Sequence, residues 1–235
     1  MLSIRLLIAV GVLVITCPLL YPNRSIGCPQ GPTSTPSGIE QLHLDKSYVD
    51  VSNFPNVHLS MRYATDNNFM KKNVYGDFHQ CFLHEIAAAK FREAVRQLQN
   101  EKPGWKFVVF DCLRPRSIQE KLFEVVKGTP RQPYVANPKT GSIHNYGFAI
   151  DLSLEEDNGH EVDMGTGFDD FSALSRPDQE RQNREAGKLT QEQLDHRLIL
   201  RRIMAQAGFV QLPIEWWHYD ALTKEEVKGH YKIVE

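Results

Sequence analysis

SIHNYGFAIDLSL, residues 142–154, sets two metal-ligating side chains, His144 and Asp151, at the head of a strand-like run. The seven-residue gap between them cannot be one face of a helix, and Gly147 suits a turn or bulge leading into a strand over 146–154. A second such segment, 209–219, runs into EWWHYD at 215–220 and supplies His218. A hairpin would bring these groups to one point. Further upstream WKFVVF, residues 105–110, follows Pro103-Gly104 and reads as a buried strand.

Helices surround these strands. Leu83, Ile86, Ala87, Phe91, Ala94, Val95 and Leu98 recur at spacings of three and four, the stripe of a helix packed on a core. Ser117 with Glu120 offers a capping box for a second helix just after Pro115. A third is expected from Thr190 to Gly208, with Leu194, Leu198, Ile199 and Ile203 inward. Helices and short strands mixed without regular βαβ alternation predict an α+β domain with a central, mostly antiparallel sheet flanked by helices.

The chain has 235 residues, 41% hydrophobic and 24% charged, which excludes a disordered protein. A formal charge of −2 leaves no broad cationic surface, so no nucleic-acid partner is expected. Residues 1–20 read as a signal peptide, because the apolar run 6–20 follows Arg5 and ends near Pro18. Cys17, after Val14, Ile15 and Thr16, resembles a lipoprotein cleavage box except for the threonine, so a lipid anchor and simple cleavage both stay open. The Pro-, Gly- and Ser-rich residues 21–40 read as a flexible linker, and 41–235 as one domain. Export to the periplasm or cell envelope follows from the leader. In that oxidising setting Cys81 and Cys112 are expected to form a disulfide, the alternative being two buried thiols.

Two imidazoles and a carboxylate, from His144, Asp151 and His218, are a normal protein shell for catalytic zinc. Glu215, three residues before His218, is placed to act as general base. Trp216 and Trp217 would shield the site or simply pack in the core. His84-Glu85 mimics the start of a helical zinc motif, but Ala88 stands where the second histidine is needed.

Ser142, His144, Gly147, Ala149 and Asp151 in SxHxxGxAxD, followed by Glu215, Trp217 and His218 in ExWH, resemble the zinc D-Ala-D-Ala peptidases, most closely the VanX-type dipeptidases. MRYATDNNF (61–69), FDCLRP (110–115) and MGTGFDDFS (164–172) fall in the order expected of that family, and the likeness runs from about residue 42 to about 220. The resemblance implies one zinc ion on His144, Asp151 and His218, Glu215 as catalytic base, and Arg114 stabilising the oxyanion. It also implies that Ser142 holds the substrate carboxylate and that Tyr63 and Asp169 line the pocket, Asp169 near the substrate ammonium. An ion pair between Arg114 and Asp111 is the structural alternative for that arginine. The implied activity is cleavage of the D-Ala-D-Ala dipeptide, here in the envelope rather than in the cytoplasm where resistance enzymes of this type act. A D,D-carboxypeptidase or wall peptidase of the same fold stays open, as does a non-catalytic envelope binding protein, although binding alone would need neither Glu215 nor Arg114. Oligomeric state is not legible in the sequence.

Overall fold

A computed structural model describes Leu42 and residues 45–235. The expected leader (1–20), linker (21–40) and lipidation site at Cys17 lie outside the described residues. Among the described residues seven strands are formed: β1 (Tyr48–Asp50), β2 (Val57–Leu59), β3 (Phe82–His84), β4 (Lys106–Asp111), β5 (Ala149–Glu155), β6 (Val210–Gln211) and β7 (His218–Asp220). Among them lie the helices α1 (Glu85–Glu101), α2 (Arg116–Val126), α3 (Glu180–Glu185), α4 (Gln191–Gln206) and α5 (Lys224–Val227).

The main sheet has the order β2-β4-β5-β7-β6, with β2 parallel to β4 and every other pairing antiparallel; β1 and β3 form a separate antiparallel pair. The fold is thus α+β, as expected. All seven residues of β5 are buried, which fits a central strand covered on both faces. Phe107 of β4 packs on Phe91 of α1. Side-chain alternation then puts Val109 and its cross-strand partner Leu152, with Leu154 opposite Phe107, on the same helix-covered face. Asp151 and Ser153 point the other way, toward the loops.

Local chemistry explains where the elements begin. His84 is the N-cap of α1, its Nδ1 accepting from the Ile86 N–H, so Leu83 belongs to β3 and not to the helix. Thr190 and Gln193 form a reciprocal capping box at α4. The expected box at Ser117–Glu120 is not formed: α2 begins at Arg116 with Pro115 as its cap, which places Ser117 inside the first turn. In α4 Leu198 is exposed, and the inward face carries Arg197, Leu200, Ile203 and Met204. Arg197 faces inward because its guanidinium donates to the Met164 and Leu174 carbonyls of the loop over the sheet. The 209–219 segment is two strands, β6 and β7, flanking a turn that holds Glu215.

Candidate metal centre and its cavity

β5 and β7 pair so that Asp151 lies directly opposite His218. That register carries two of the three candidate ligands. His144 stands off the sheet, on a 3-10 turn (Ile143–Tyr146) capped by Ser142 and Asn145 and closed by Gly147 at φ 75°. A Cβ at Gly147 would meet Tyr48 Cε1 at 2.9 Å and the His84 backbone nitrogen at 3.0 Å, so only glycine turns the chain there without strain. The turn is pinned from outside by the Val234 N–H, which donates to the Asn145 carbonyl at 2.9 Å.

His144 Nε2, Asp151 Oδ1 and His218 Nδ1 converge, with separations of 3.2 Å between the rings, 3.3 Å from His144 to Asp151 and 2.9 Å from His218 to Asp151. The opposite nitrogens of the two rings are engaged by groups that only accept. His144 Nδ1 meets the Cys112 carbonyl at 2.6 Å, and His218 Nε2 meets Asp220 Oδ1 at 2.9 Å. With a cation between them, each ring would keep its outer proton and turn a lone pair inward. Two imidazole nitrogens and a carboxylate oxygen, all buried, fit a divalent zinc-type ion. Burial opposes ionisation of Asp151, but the flanking histidines overcome it and hold the carboxyl well below the usual range.

A cavity of about 410 Å³ opens on this centre, and its wall includes Tyr63, Arg114, Ser142, Asp169, Glu215 and Trp217. Every predicted site residue thus reaches one place. Glu215 is buried there, and that burial raises its carboxyl to about 8 despite the neighbouring His218. Asp169 sits at φ 62°, with Tyr63 Oη donating to Oδ1 and the Phe69 N–H to Oδ2, both at 3.1 Å. Its removal from water raises it to about 7. Ser142 spends its hydroxyl partly on the cap, accepting from the His144 N–H at 3.4 Å. Trp217 lines the cavity against Phe168, whereas Trp216 is core, its indole N–H donating to Thr166.

Arg114 makes the expected ion pair with Asp111 and still faces the cavity. Its Nε and one terminal nitrogen donate to Asp111 Oδ2 at 2.8 and 2.6 Å, and the other terminal nitrogen donates to Gln119 Oε1 at 2.9 Å. The guanidinium nevertheless faces the cavity, 3.7 Å from Asp151 Oδ2 and with its carbon 5.2 Å from the Tyr63 ring centre. Asp111 reaches this face because the β4–β5 register slips between Val109 and Asp111, setting Asp111 opposite Asp151. Tyr75 Oη donates to the remaining Asp111 oxygen at 2.6 Å. Cys81 and Cys112 are bonded, with Cα atoms 5.4 Å apart, one residue from Asp111 and two from Arg114.

Sequence reasoning named Asp111 as the ion-pair partner of Arg114, which the structure shows, but missed Gln119, the Cys112 carbonyl and Asp220. Only Asp220 carried a readable signal, since it lies two residues after His218 in a strand and so on the same face.

Comparison with known proteins agrees with this geometry. The profile of the D-Ala-D-Ala dipeptidase family matches residues 45–234. The chain is 31% identical to the D-alanyl-D-alanine dipeptidase of Escherichia coli (strain K12) over 71% of this chain and 80% of that one. It is 38% identical to that of Enterococcus faecium over 69% and 85%, and 29% identical to that of Enterococcus faecalis over 72% and 87%. The chain belongs to the D-Ala-D-Ala dipeptidase family of metallopeptidases.

Proposed function

We propose that this protein hydrolyses the D-Ala-D-Ala dipeptide to two D-alanines in the cell envelope, with one zinc ion held by His144, Asp151 and His218. The observation that carries the reading is the convergence of three inward-facing acceptor atoms in a cavity that also holds a buried carboxylate and a fixed guanidinium. When bound, zinc supplies a Lewis acid that acidifies water and polarises a carbonyl. Glu215 takes the proton from the attacking water and returns it to the leaving amine. Arg114, locked by Asp111 and Gln119, presents a preorganised cation to the negative charge developing on the scissile carbonyl oxygen. Asp169, held by Tyr63 and the Phe69 amide, receives the substrate ammonium; the ammonium's charge favours the ionised carboxylate. Ser142, at the start of the His144 turn, meets the substrate carboxylate.

The envelope setting is supported by the apolar run at 6–20 and by the Cys81–Cys112 bond, since disulfides persist in oxidising compartments. The mass of the mature protein from the envelope distinguishes simple cleavage from acylation at Cys17. Activity is tested by release of free D-alanine from D-Ala-D-Ala by the purified zinc-loaded protein, with L-Ala-L-Ala and a pentapeptide ending in D-Ala-D-Ala as comparisons. Release from the D,D dipeptide alone is expected. Release from the pentapeptide would make the protein a carboxypeptidase, and no release from any substrate would make it a binding protein.

A further inference from the structure

We infer that Asp220 is a positioning residue that fixes His218 as an Nδ1 ligand and strengthens the metal centre; the inference rests on the reading of His144, Asp151 and His218 as that centre. In β7 the sequence His218-Tyr219-Asp220 puts His218 and Asp220 on one face, while Tyr219 turns away to bond Gln211 Nε2 at 2.8 Å through its hydroxyl. The opposite residue on β5 is Ala149, small enough to leave the carboxylate room beside the ring. Asp220 Oδ1 lies 2.9 Å from His218 Nε2, and the same ring's Nδ1 lies 2.9 Å from Asp151 Oδ1. Both nitrogens of His218 thus face carboxylates, so a metal at Nδ1 would take the place of the proton shared with Asp151. Asp220 then keeps the remaining proton on Nε2 and the ring aimed at the metal through Nδ1.

The two histidines are held differently. His144 is oriented by a backbone carbonyl, which no substitution removes, whereas His218 is oriented by a charged side chain on the cavity wall. A carboxylate partner makes imidazole a better donor to a metal than a neutral acceptor does, and loss of such partners costs about 10–100-fold in metal affinity.

The test uses the full chain, with zinc affinity of the metal-depleted protein measured by competition against a chromophoric chelator and the His218 tautomer of the zinc-loaded protein read from long-range proton–nitrogen NMR. Asp220→Ala is expected to raise the zinc Kd by about 10–100-fold and to leave His218 a mixture of tautomers. Asp220→Asn, which keeps an acceptor but not the charge, is expected to fall between Asp220→Ala and the native protein. Melting of the metal-free variants separates this effect from a general loss of structure. If Asp220→Ala fails to fold, Asp220→Asn decides, and an unchanged zinc Kd overturns the inference. An Asp220→Ala protein with native zinc affinity and the Nε2–H tautomer likewise overturns it. His144→Ala and Asp151→Ala are the reference: if they lose zinc while the Asp220 variants do not, only Asp220 is misassigned. If they bind zinc like the native chain, the centre itself is wrong and the role of Asp220 falls with it.

Discussion

Glu215 and Arg114 have different claims on the chemistry, and substitutions at each should fail differently. Glu215→Gln keeps the shape of the wall and removes the base, so kcat should fall about 10²–10⁴-fold with zinc content unchanged. Burial raises Glu215 to about 8 in the metal-free protein, and a bound cation pulls that value down. Because the base works ionised, kcat/KM should rise with pH through an acidic limb lying below 8, and Glu215→Gln should lose that limb. Arg114→Ala should cost about 10²–10³ in kcat and also stability, because it leaves the fully buried Asp111 carboxylate without its cation. Denaturant unfolding should show a loss of about 3–5 kcal/mol; an unchanged midpoint would show that the pair is not the buried ion pair described. At this scale the sequence was most readable. His144, Asp151, His218, Glu215 and Arg114 are types with few bland roles in such strings, and all five meet at one cavity. The Asp111 pairing with Arg114 was readable, but not its place opposite Asp151, which depends on a register slip that no local pattern announces.

Among the elements, the stretch from β4 into α2 holds the site from behind. Its end residues pair with Arg114, orient His144 through the Cys112 carbonyl and cross-link to Cys81 beside β3. Replacing both cysteines by alanine should lower stability by about 2–4 kcal/mol and weaken zinc binding together, as read by denaturant unfolding and chelator competition. Equal zinc affinity in the double variant would show that the cross-link serves stability alone. Gly147→Ala should destabilise by more than ~1 kcal/mol, since alanine at φ 75° is strained and its Cβ meets the His84 backbone. The long helices and β4 were legible because periodicity and caps extend over many residues. Three-residue strands such as β2 offer no period to read, so the one parallel pairing, β2 with β4, came only from the structure. Leu198 faced outward against expectation because the loop carbonyls of Met164 and Leu174 needed Arg197 inward.

For the whole molecule, the metal should couple folding to pH. Burial raises Glu215 to about 8 and Asp169 to about 7; burial alone would lower His218, but Asp220 and Asp151 hold it well above free imidazole. In each case the native metal-free state binds protons that the unfolded chain has released. Above the range where the lowered carboxylates such as Asp151 and Glu155 ionise, stability should therefore fall as pH rises from about 5 to about 8. Burial raises Glu161 in the same sense, and burial of His84 works in the opposite one. Melting of the chelated protein should accordingly occur at lower temperature at pH 8 than at pH 5. Zinc competes with these protons, so its stabilisation, about 2.7 kcal/mol at a hundredfold excess over Kd, should grow across the same interval. Among the described residues no helix is long and apolar enough to cross a membrane. The central claim is that one zinc ion at His144, Asp151 and His218 runs a D,D-dipeptidase. Titrating zinc into the chelated protein while following D-alanine release from D-Ala-D-Ala tests it most directly. Activity should climb linearly and break at one equivalent, with His144→Ala and Asp151→Ala flat throughout; release that ignores zinc, or that survives in those two variants, would contradict it.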